Sequence, residues 1–190
     1  PVRAIAVGRN PSGIAFHPSG SHAYVSCRGS RDVHVVDCDS GLSVASVDLD
    51  QYTPHAIDYL PATDTVVVAA LLSGNRTVAR GTFPGDAIPD VVVDTATDPN
   101  LTGVLPDRDV VALAVTPGNP ASVVRDDSRL AQGVMTIQYA LVADPNFDRA
   151  VVVGTEALNA QVTGEKNFVG GQVVENRLVV LDYSGGGAPS

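Results

Sequence analysis

Short apolar runs rich in valine, each bounded by turn-forming residues, recur along the whole chain. Valine accounts for 32 residues, and glycine and proline together supply 31 more. The branched valine side chain suits a pleated sheet, whereas glycine and proline interrupt strands at turns. Few stretches carry the 3.6-residue apolar period of a helix. The pattern predicts an all-β fold with short antiparallel strands at Ala23–Ser26, Val33–Asp37, Val44–Leu49, Thr65–Leu71, Asp90–Asp94, Val110–Thr116, Ala150–Gly154 and Arg177–Asp182.

A repeat of 43 residues refines this prediction. Pairs of positions at that spacing are Pro11 with Pro54, Ile14 with Ile57, Pro18 with Pro61 and Tyr24 with Val67. Two more copies are predicted to begin at residues 109 and 136. A period of this length, with about four strands in each copy, is typical of β-propeller blades. We therefore predict a β-propeller of four-stranded antiparallel blades, about four in number, and a sandwich with regular turns is the alternative.

The predicted blades divide the chain unevenly. Blade 1 takes about 8–49, blade 2 about 53–94, an abbreviated blade 3 about 109–135, and blade 4 about 136–182, with a flexible tail at 183–190. A strand at 2–7 can complete blade 4 and close a small ring, which would remove free sheet edges. Alternatively, the chain is a partial propeller. The partial propeller is favoured because Pro117 and Pro145 lie only 28 residues apart, too few for a whole blade.

Blade 1 carries a family resemblance. The segments at 10–20 (NPSGIAFHPSG), 23–26 (AYVS) and 33–41 (VHVVDCDSG) resemble the repeats of the YVTN family of β-propellers, with Cys27 where that family usually has asparagine. Blade 2 keeps the first half of the pattern only. The resemblance implies an extracellular or periplasmic propeller, commonly larger than four blades, that binds partners or serves as a scaffold beside redox domains. It implies no single activity.

Composition and charge restrict the classes of partner that the protein is expected to bind. The 190 residues are 44% hydrophobic, enough for the core of one domain, and the net charge is -9 with Lys166 as the single lysine. Nucleic acid and anionic membranes both require a cationic face, so neither is an expected partner. No apolar run approaches the 18 or so residues that span a bilayer, so membrane insertion is not expected. We expect a mature, secreted protein whose partner is another protein or additional blades or a domain of the same protein.

The candidate binding residues lie on one face. In a propeller, the connections between blades share an end with the loops between second and third strands, and we call this end the top face. Loops on a rigid scaffold often carry function. The polar residues predicted there are Arg28, Arg31, His55, Arg76, Asp107, Asp109, Asp126, Asp127, Glu156, Asn159 and Glu165. Calcium is the cation that Asp107, Asp109, Asp126, Asp127 and Glu156 would suit. Solubilising charge, neutralised by the arginines, is the alternative.

The spacing of the cysteines and histidines argues against a disulfide bond, a covalent haem and a zinc site. Cys27 is predicted beside a hairpin turn and Cys38 at the far end of the next strand, roughly 17–20 Å away at ~3.3 Å per residue. Because a disulfide requires Cα atoms within ~7 Å, no bond between them is expected. The chain has no C-x-x-C-H motif, so no covalent haem is expected on it. The four histidines show no zinc-ligand spacing with the cysteines.

Three functions remain open from the sequence. The first is a non-enzymatic binding or scaffold propeller, because no nucleophile paired with a base is evident and no catalytic residue is assigned. The second is a lactonase-like propeller hydrolase with a metal at the mouth of the channel. The third is the propeller part of a larger haem-containing redox protein.

Overall fold

The computed structural model describes residues 3–51, 53–74, 76–80, 91–94, 107–157 and 174–190. No helix long and apolar enough to cross a membrane occurs among them. The described residues form the strands β1 (Pro11–Phe16), β2 (His22–Cys27), β3 (Asp32–Asp37), β4 (Leu42–Asp48), β5 (Pro54–Leu60), β6 (Thr65–Ala70), β7 (Arg76–Arg80), β8 (Val91–Asp94), β9 (Val110–Thr116), β10 (Asn119–Ala131), β11 (Ile137–Ala143), β12 (Arg149–Ala157) and β13 (Val174–Asp182).

The first sheet is a four-stranded antiparallel meander in the order β1-β2-β3-β4. Its tight turns use residues suited to left-handed backbone: Gly20 has a φ of 73° and Gly41 a φ of 64°. In the second of these turns, the Ser40 amide donates a 2.7 Å hydrogen bond to Asp37 Oδ1. This sheet is the predicted blade 1, and the four-stranded antiparallel blade is confirmed.

The second sheet has the order β10-β9-β6-β5, and it corrects the predicted blade boundaries. Strands β6 and β9 pair directly, with Val68 opposite Val111, so the segment 71–109 is an insertion between the second and third strands of one blade. The predicted blade 3 at 109–135 is in fact the outer half of blade 2. The strand predicted at Asp90–Asp94 corresponds to β8, which pairs with β7 inside this insertion.

The third sheet contains β11-β12-β13 and occupies the range predicted for the last blade. Residues 158–173, between β12 and β13, lie outside the described residues. The described part of the predicted N-terminal strand, residues 3–7, forms no strand. Instead it crosses blade 1, where the Arg3 guanidinium lies against Gly41. The ring closed by an N-terminal strand is therefore wrong, and the partial propeller is the fold.

The three sheets stack face to face with two apolar layers between them. One layer joins the first and second sheets, and the other joins the second and third. The middle sheet is covered on both sides, so β6 is buried along its whole length, whereas β4 and β13 alternate in exposure. The first strands β1, β5 and β11 pack side by side. Stacked antiparallel sheets with their first strands adjacent are the arrangement of propeller blades.

Both ends of the stack are open sheet faces with exposed apolar side chains. On the first sheet, Ile14 and Phe16 are 57% and 60% exposed, beside a groove lined by Ile5, Val7, Ile14, Phe16, Ala23, Val25, Val36 and Cys38. On the third sheet, Leu178 is 65% exposed and Val180 is 48% exposed. We call these the first open face and the last open face. Apolar area of this kind normally marks a contact surface.

Candidate functional site

The structure describes most of the predicted top-face residues. Arg28 and Arg31 lie in the β2–β3 turn, where Arg31 has a φ of 64°. His55 is the second residue of β5, and its Nδ1 is buried without a hydrogen-bond partner in the described part of the chain. Burial, together with the positive charge of Arg28, lowers the pKa of His55. Arg76 begins β7, but its side chain lies outside the described part, as do Asn159 and Glu165 entirely.

Asp127 belongs to an exposed ion-pair network. Arg108 bridges two carboxylates, with Nη1 lying 3.1 Å from Asp127 Oδ1 and Nη2 lying 3.2 Å from Asp50 Oδ2. Arg125 Nε lies 3.0 Å from the same Asp127 oxygen. Although partial burial opposes its ionisation, the hydrogen bonds and charges of these arginines hold the pKa of Asp127 below its usual range. The oxygens of Asp127 are thus satisfied by Arg108 and Arg125.

Asp126 forms hydrogen bonds within the irregular part of its own strand, β10. Its Oδ1 accepts hydrogen bonds from the amide and the hydroxyl of Ser128, at 3.1 and 2.6 Å. Across the described residues, no three of the five predicted calcium carboxylates place ligand oxygens within 4.8 Å of one another. Calcium binding stays a prediction, and the described side chains show no preformed cage for it.

Asp109 occupies a buried position between the second and third sheets. Its Oδ2 accepts a 2.6 Å hydrogen bond from the Val134 amide, and its Oδ1 accepts a 3.0 Å bond from Gln138 Nε2. Burial, reinforced by the negative charges of Asp107 and Glu156, raises the pKa of Asp109 to about 7. A carboxyl that titrates near neutrality is a candidate proton donor or acceptor. However, Asp109 is 0% exposed, so this carboxyl has no contact with solvent.

Gln51 fixes the two residues that precede β9, Arg108 and Asp109, to the middle sheet. Its Nε2 lies 2.8 Å from the carbonyl oxygen of Arg108 and 3.2 Å from that of Asp109. The Oε1 atoms of both Gln51 and Gln138 are buried without a partner among the described residues. Buried polar atoms of this kind are uncommon in folded proteins. The centre around Asp109 therefore fastens two blades together and carries unsatisfied hydrogen-bonding capacity.

A second buried polar network joins the same two sheets. Arg129 Nη2 lies 2.9 Å from Asp148 Oδ2 and donates to the Tyr183 carbonyl at 3.0 Å, while its Nη1 donates to Thr65 Oγ1 at 2.7 Å. The side chains of Arg129 and Asp148 are 8% and 7% exposed. Thr63 Oγ1 donates to the other Asp148 oxygen at 2.7 Å. Sequence reasoning did not single out this pair, since nothing in its 19-residue separation marks it.

Three metal-ligating side chains that the sequence reasoning missed meet on the first open face. Cys27 is the last residue of β2 and pairs with Asp32, the first residue of β3. His34 follows two residues later, so its side chain projects from the same face of the sheet. The sulfur, one Asp32 oxygen and one His34 nitrogen lie within 4.8 Å of one another. The spacing of these residues along the sequence does not indicate a cluster. Pairing the two predicted strands into a hairpin in the correct register would have placed them together.

Cys38 does not belong to this cluster. The opposite end of the β2–β3 hairpin pairs His22 with Asp37, and Cys38 follows there. Both cysteines are free thiols, Cys27 buried and Cys38 exposed. The register therefore separates the two cysteines as the spacing predicts.

Comparisons with known proteins give similarities of fold at low identity. No protein-family model matches the chain, and no curated protein matches it. The chain is similar in structure to the hydrazine synthase of Kuenenia stuttgartiensis, with 19% identity over 95% of this chain and 53% of that one, at a TM-score of 0.38. It is also similar to the PQQ-bound aldose sugar dehydrogenase of Streptomyces coelicolor, with 14% identity over 91% and 44% and a TM-score of 0.42.

The β-propeller domain of Myceliophteria thermophila Cps50 (Swd1) is similar over 76% of this chain and 50% of that one, with 11% identity and a TM-score of 0.35. The chain thus spans about half the length of the solved structures that it matches. At these identities the similarity concerns the fold alone.

Proposed function

We propose that this chain is a section of a larger β-propeller that works as a non-enzymatic binding scaffold. Its top-face loops would meet a protein partner or a neighbouring domain, and its two open faces would meet further blades. The observation that carries the proposal is the pair of exposed apolar sheet faces at opposite ends of the three-sheet stack. In line with the resemblance of blade 1, we propose a repeat of the YVTN type and an extracellular or periplasmic location.

The open faces match the buried faces inside the stack. Between the first and second sheets, Tyr24, Val33 and Val35 pack against Val66 and Val68. The first open face presents the same kinds of side chain, including Ile14 and Phe16 of β1 at more than half exposure. Burying one such side chain contributes about 1.5–3 kcal/mol. A further antiparallel sheet with an apolar face is therefore the occupant that these surfaces suit.

The top-face residues support binding more than catalysis. Arg108, Arg125 and Asp127 form an ion-pair network that holds two loops in place. Burial raises the pKa of Asp109 to about 7, yet this carboxyl is enclosed between two blades. A hydrolase would need such a group at a surface that substrate can reach. We therefore prefer a binding scaffold to a hydrolase. We also prefer it to part of a haem-containing redox protein, because no described residue supports that function.

Alkylation of Cys38 tests the proposal, because this exposed thiol lines the groove on the first open face. The alkylation rate is measured by peptide mass spectrometry over a series of protein concentrations. If the open faces bind blades of other copies, Cys38 becomes protected as the concentration rises. Phe16→Ser should abolish the protection, whereas Phe147→Ser, at the equally exposed Phe147 of the β11–β12 turn, should retain it. A rate that is the same at every concentration would contradict the proposal.

A further inference from the structure

The cluster of Cys27, Asp32 and His34 combines a sulfur, an oxygen and a nitrogen ligand at one end of the β2–β3 hairpin. Cys27 is buried, while the side chains of Asp32 and His34 are each 19% exposed. The three ligand atoms lie within 4.8 Å of one another. Asp32 Oδ2 and His34 Nε2 lie 3.4 Å apart. The thiol thus forms the base of the cluster, and the carboxylate and the imidazole leave a path to solvent.

Neighbouring hydroxyl groups orient both of the partly exposed ligands, Asp32 and His34. Ser43 Oγ lies 2.7 Å from His34 Nδ1, and when it accepts the Nδ1–H the lone pair of Nε2 faces the cluster. Ser30 Oγ donates a 2.7 Å hydrogen bond to Asp32 Oδ1, which leaves Oδ2 for His34. Metal-binding histidines and carboxylates are usually held by such outer hydrogen bonds, which fix their orientation.

The N-terminal segment closes the cluster from one side. The backbone of Gly8 packs so closely that a Cβ there would collide with Ser30, Asp32 and Cys27. Burial and the negative charge of Asp32 raise the pKa of the Cys27 thiol, although the Gly8 amide lies where it favours the thiolate. A glycine is therefore required at this position, and its amide is directed at the sulfur.

The ligand types and distances fit zinc. Zinc binds thiolate at about 2.3 Å and imidazole or carboxylate at about 2.0–2.2 Å, so tetrahedral nitrogen and oxygen ligands lie about 3.4 Å apart. The distance between His34 Nε2 and Asp32 Oδ2 has this value. Calcium and magnesium prefer oxygen ligands alone, which this mixed set does not offer.

We propose that Cys27, Asp32 and His34 bind one Zn²⁺ ion, with a fourth coordination position open toward the first open face. Binding converts the thiol to a thiolate, and its proton passes to solvent. Three protein ligands with one open position are the arrangement of zinc sites that accept a water or an incoming ligand.

Zinc binding is measured on the full 190-residue chain, reduced and freed of metal. After equilibrium dialysis against Zn²⁺ alone, the expected result is one equivalent of zinc bound. Co²⁺ used as a spectroscopic substitute should show a thiolate-to-metal charge-transfer band, which carboxylate and imidazole ligands alone do not produce. Cys27→Ser, Asp32→Asn and His34→Gln should each lose stoichiometric binding. Ser43→Ala, which removes only an outer hydrogen bond, should weaken the affinity about 10–100-fold.

Two controls use the other end of the same hairpin. His22 Nε2 and Asp37 Oδ2 form a comparable pair at 3.8 Å, and Cys38 is the second thiol. His22→Gln and Cys38→Ser should keep one equivalent of zinc and the charge-transfer band. The proposal is overturned if the unsubstituted chain binds less than one equivalent, if the band is missing, or if the control variants lose zinc as the ligand variants do. Circular dichroism of each variant verifies that the sheets remain folded.

Discussion

The unsubstituted chain is expected to lose stability as the pH rises and the buried Asp109 ionises. Asp109→Asn should remove this loss. Burial, reinforced by the negative charges of Asp107 and Glu156, raises the pKa of Asp109 to about 7 in the folded chain, against about 3.9 in an unfolded one. Between these two pH values the folded state holds a proton that the unfolded state has released. The free energy of unfolding therefore falls as the pH rises from about 4 to about 7.

The size of the effect follows from the two pKa values. At about 1.4 kcal/mol for each pKa unit, the ionised Asp109 costs the folded state about 4 kcal/mol by pH 8. An asparagine keeps an oxygen that can accept from the Val134 amide. Its amide group can also donate to Gln138 Oε1, which is buried without a partner among the described residues, once the Gln138 carboxamide turns over. The variant should therefore be more stable by about 2–4 kcal/mol at pH 8 and nearly unchanged near pH 4.

Urea denaturation of both proteins between about pH 4 and 8, analysed by linear extrapolation, measures this difference. Asp182→Asn is the control, because hydrogen bonds from the side chain and amide of Ser184 lower the pKa of Asp182. A lowered carboxyl pKa contributes stability above the unfolded value that is lost as the pH falls through the folded value, so this variant should lose stability at neutral pH. Parallel pH profiles for Asp109→Asn and the unsubstituted chain would refute the reasoning about burial.

Two further predictions concern the contacts between blades, and urea denaturation measures both. Arg129→Met leaves Asp148 buried without its cation and should cost about 3–5 kcal/mol. Arg149→Met breaks a partly exposed pair with Asp144 and should cost less than about 1 kcal/mol. Equal losses would contradict the role of burial. Gly13→Ala should cost about 1–3 kcal/mol, because a Cβ there would lie 2.5 Å from the His55 carbonyl oxygen of the next blade. Gly187→Ala has open space around the new methyl group and should change nothing, so a neutral Gly13→Ala would count against the packing described between the blades.

The sequence allowed the fold class and the first blade to be predicted, because both depend on local pattern. Gly20 and Gly41 mark turns that their φ values require, and the strands between them have the predicted places. The blade boundaries could not be predicted in the same way. Pro117 lies in the turn between the third and fourth strands of its blade, whereas Pro145 lies between the first and second strands of the next. Their 28-residue separation was therefore not a short blade.

The candidate site was less accessible to sequence reasoning, because the relevant contacts depend on three-dimensional register. Asp109 was expected on an open loop, but the direct pairing of β6 with β9 carries it into the interior. Asp127 was expected among metal ligands, but Arg108 and Arg125 take its oxygens. Cys27 and His34 were judged separately, since seven positions along a hairpin resemble no linear zinc motif. Pairing of Cys27 with Asp32 across the turn brings them together.

Sedimentation velocity of the unsubstituted chain over a range of concentrations tests the central claim most directly. If the three sheets are a section of a larger propeller with two apolar faces to cover, the chain should associate into particles of more than one copy. Phe16→Ser combined with Leu178→Ser, which makes both open faces more polar, should return it to the monomer. A compact monomer of 19.6 kDa at every concentration, unchanged by that double substitution, would contradict the account.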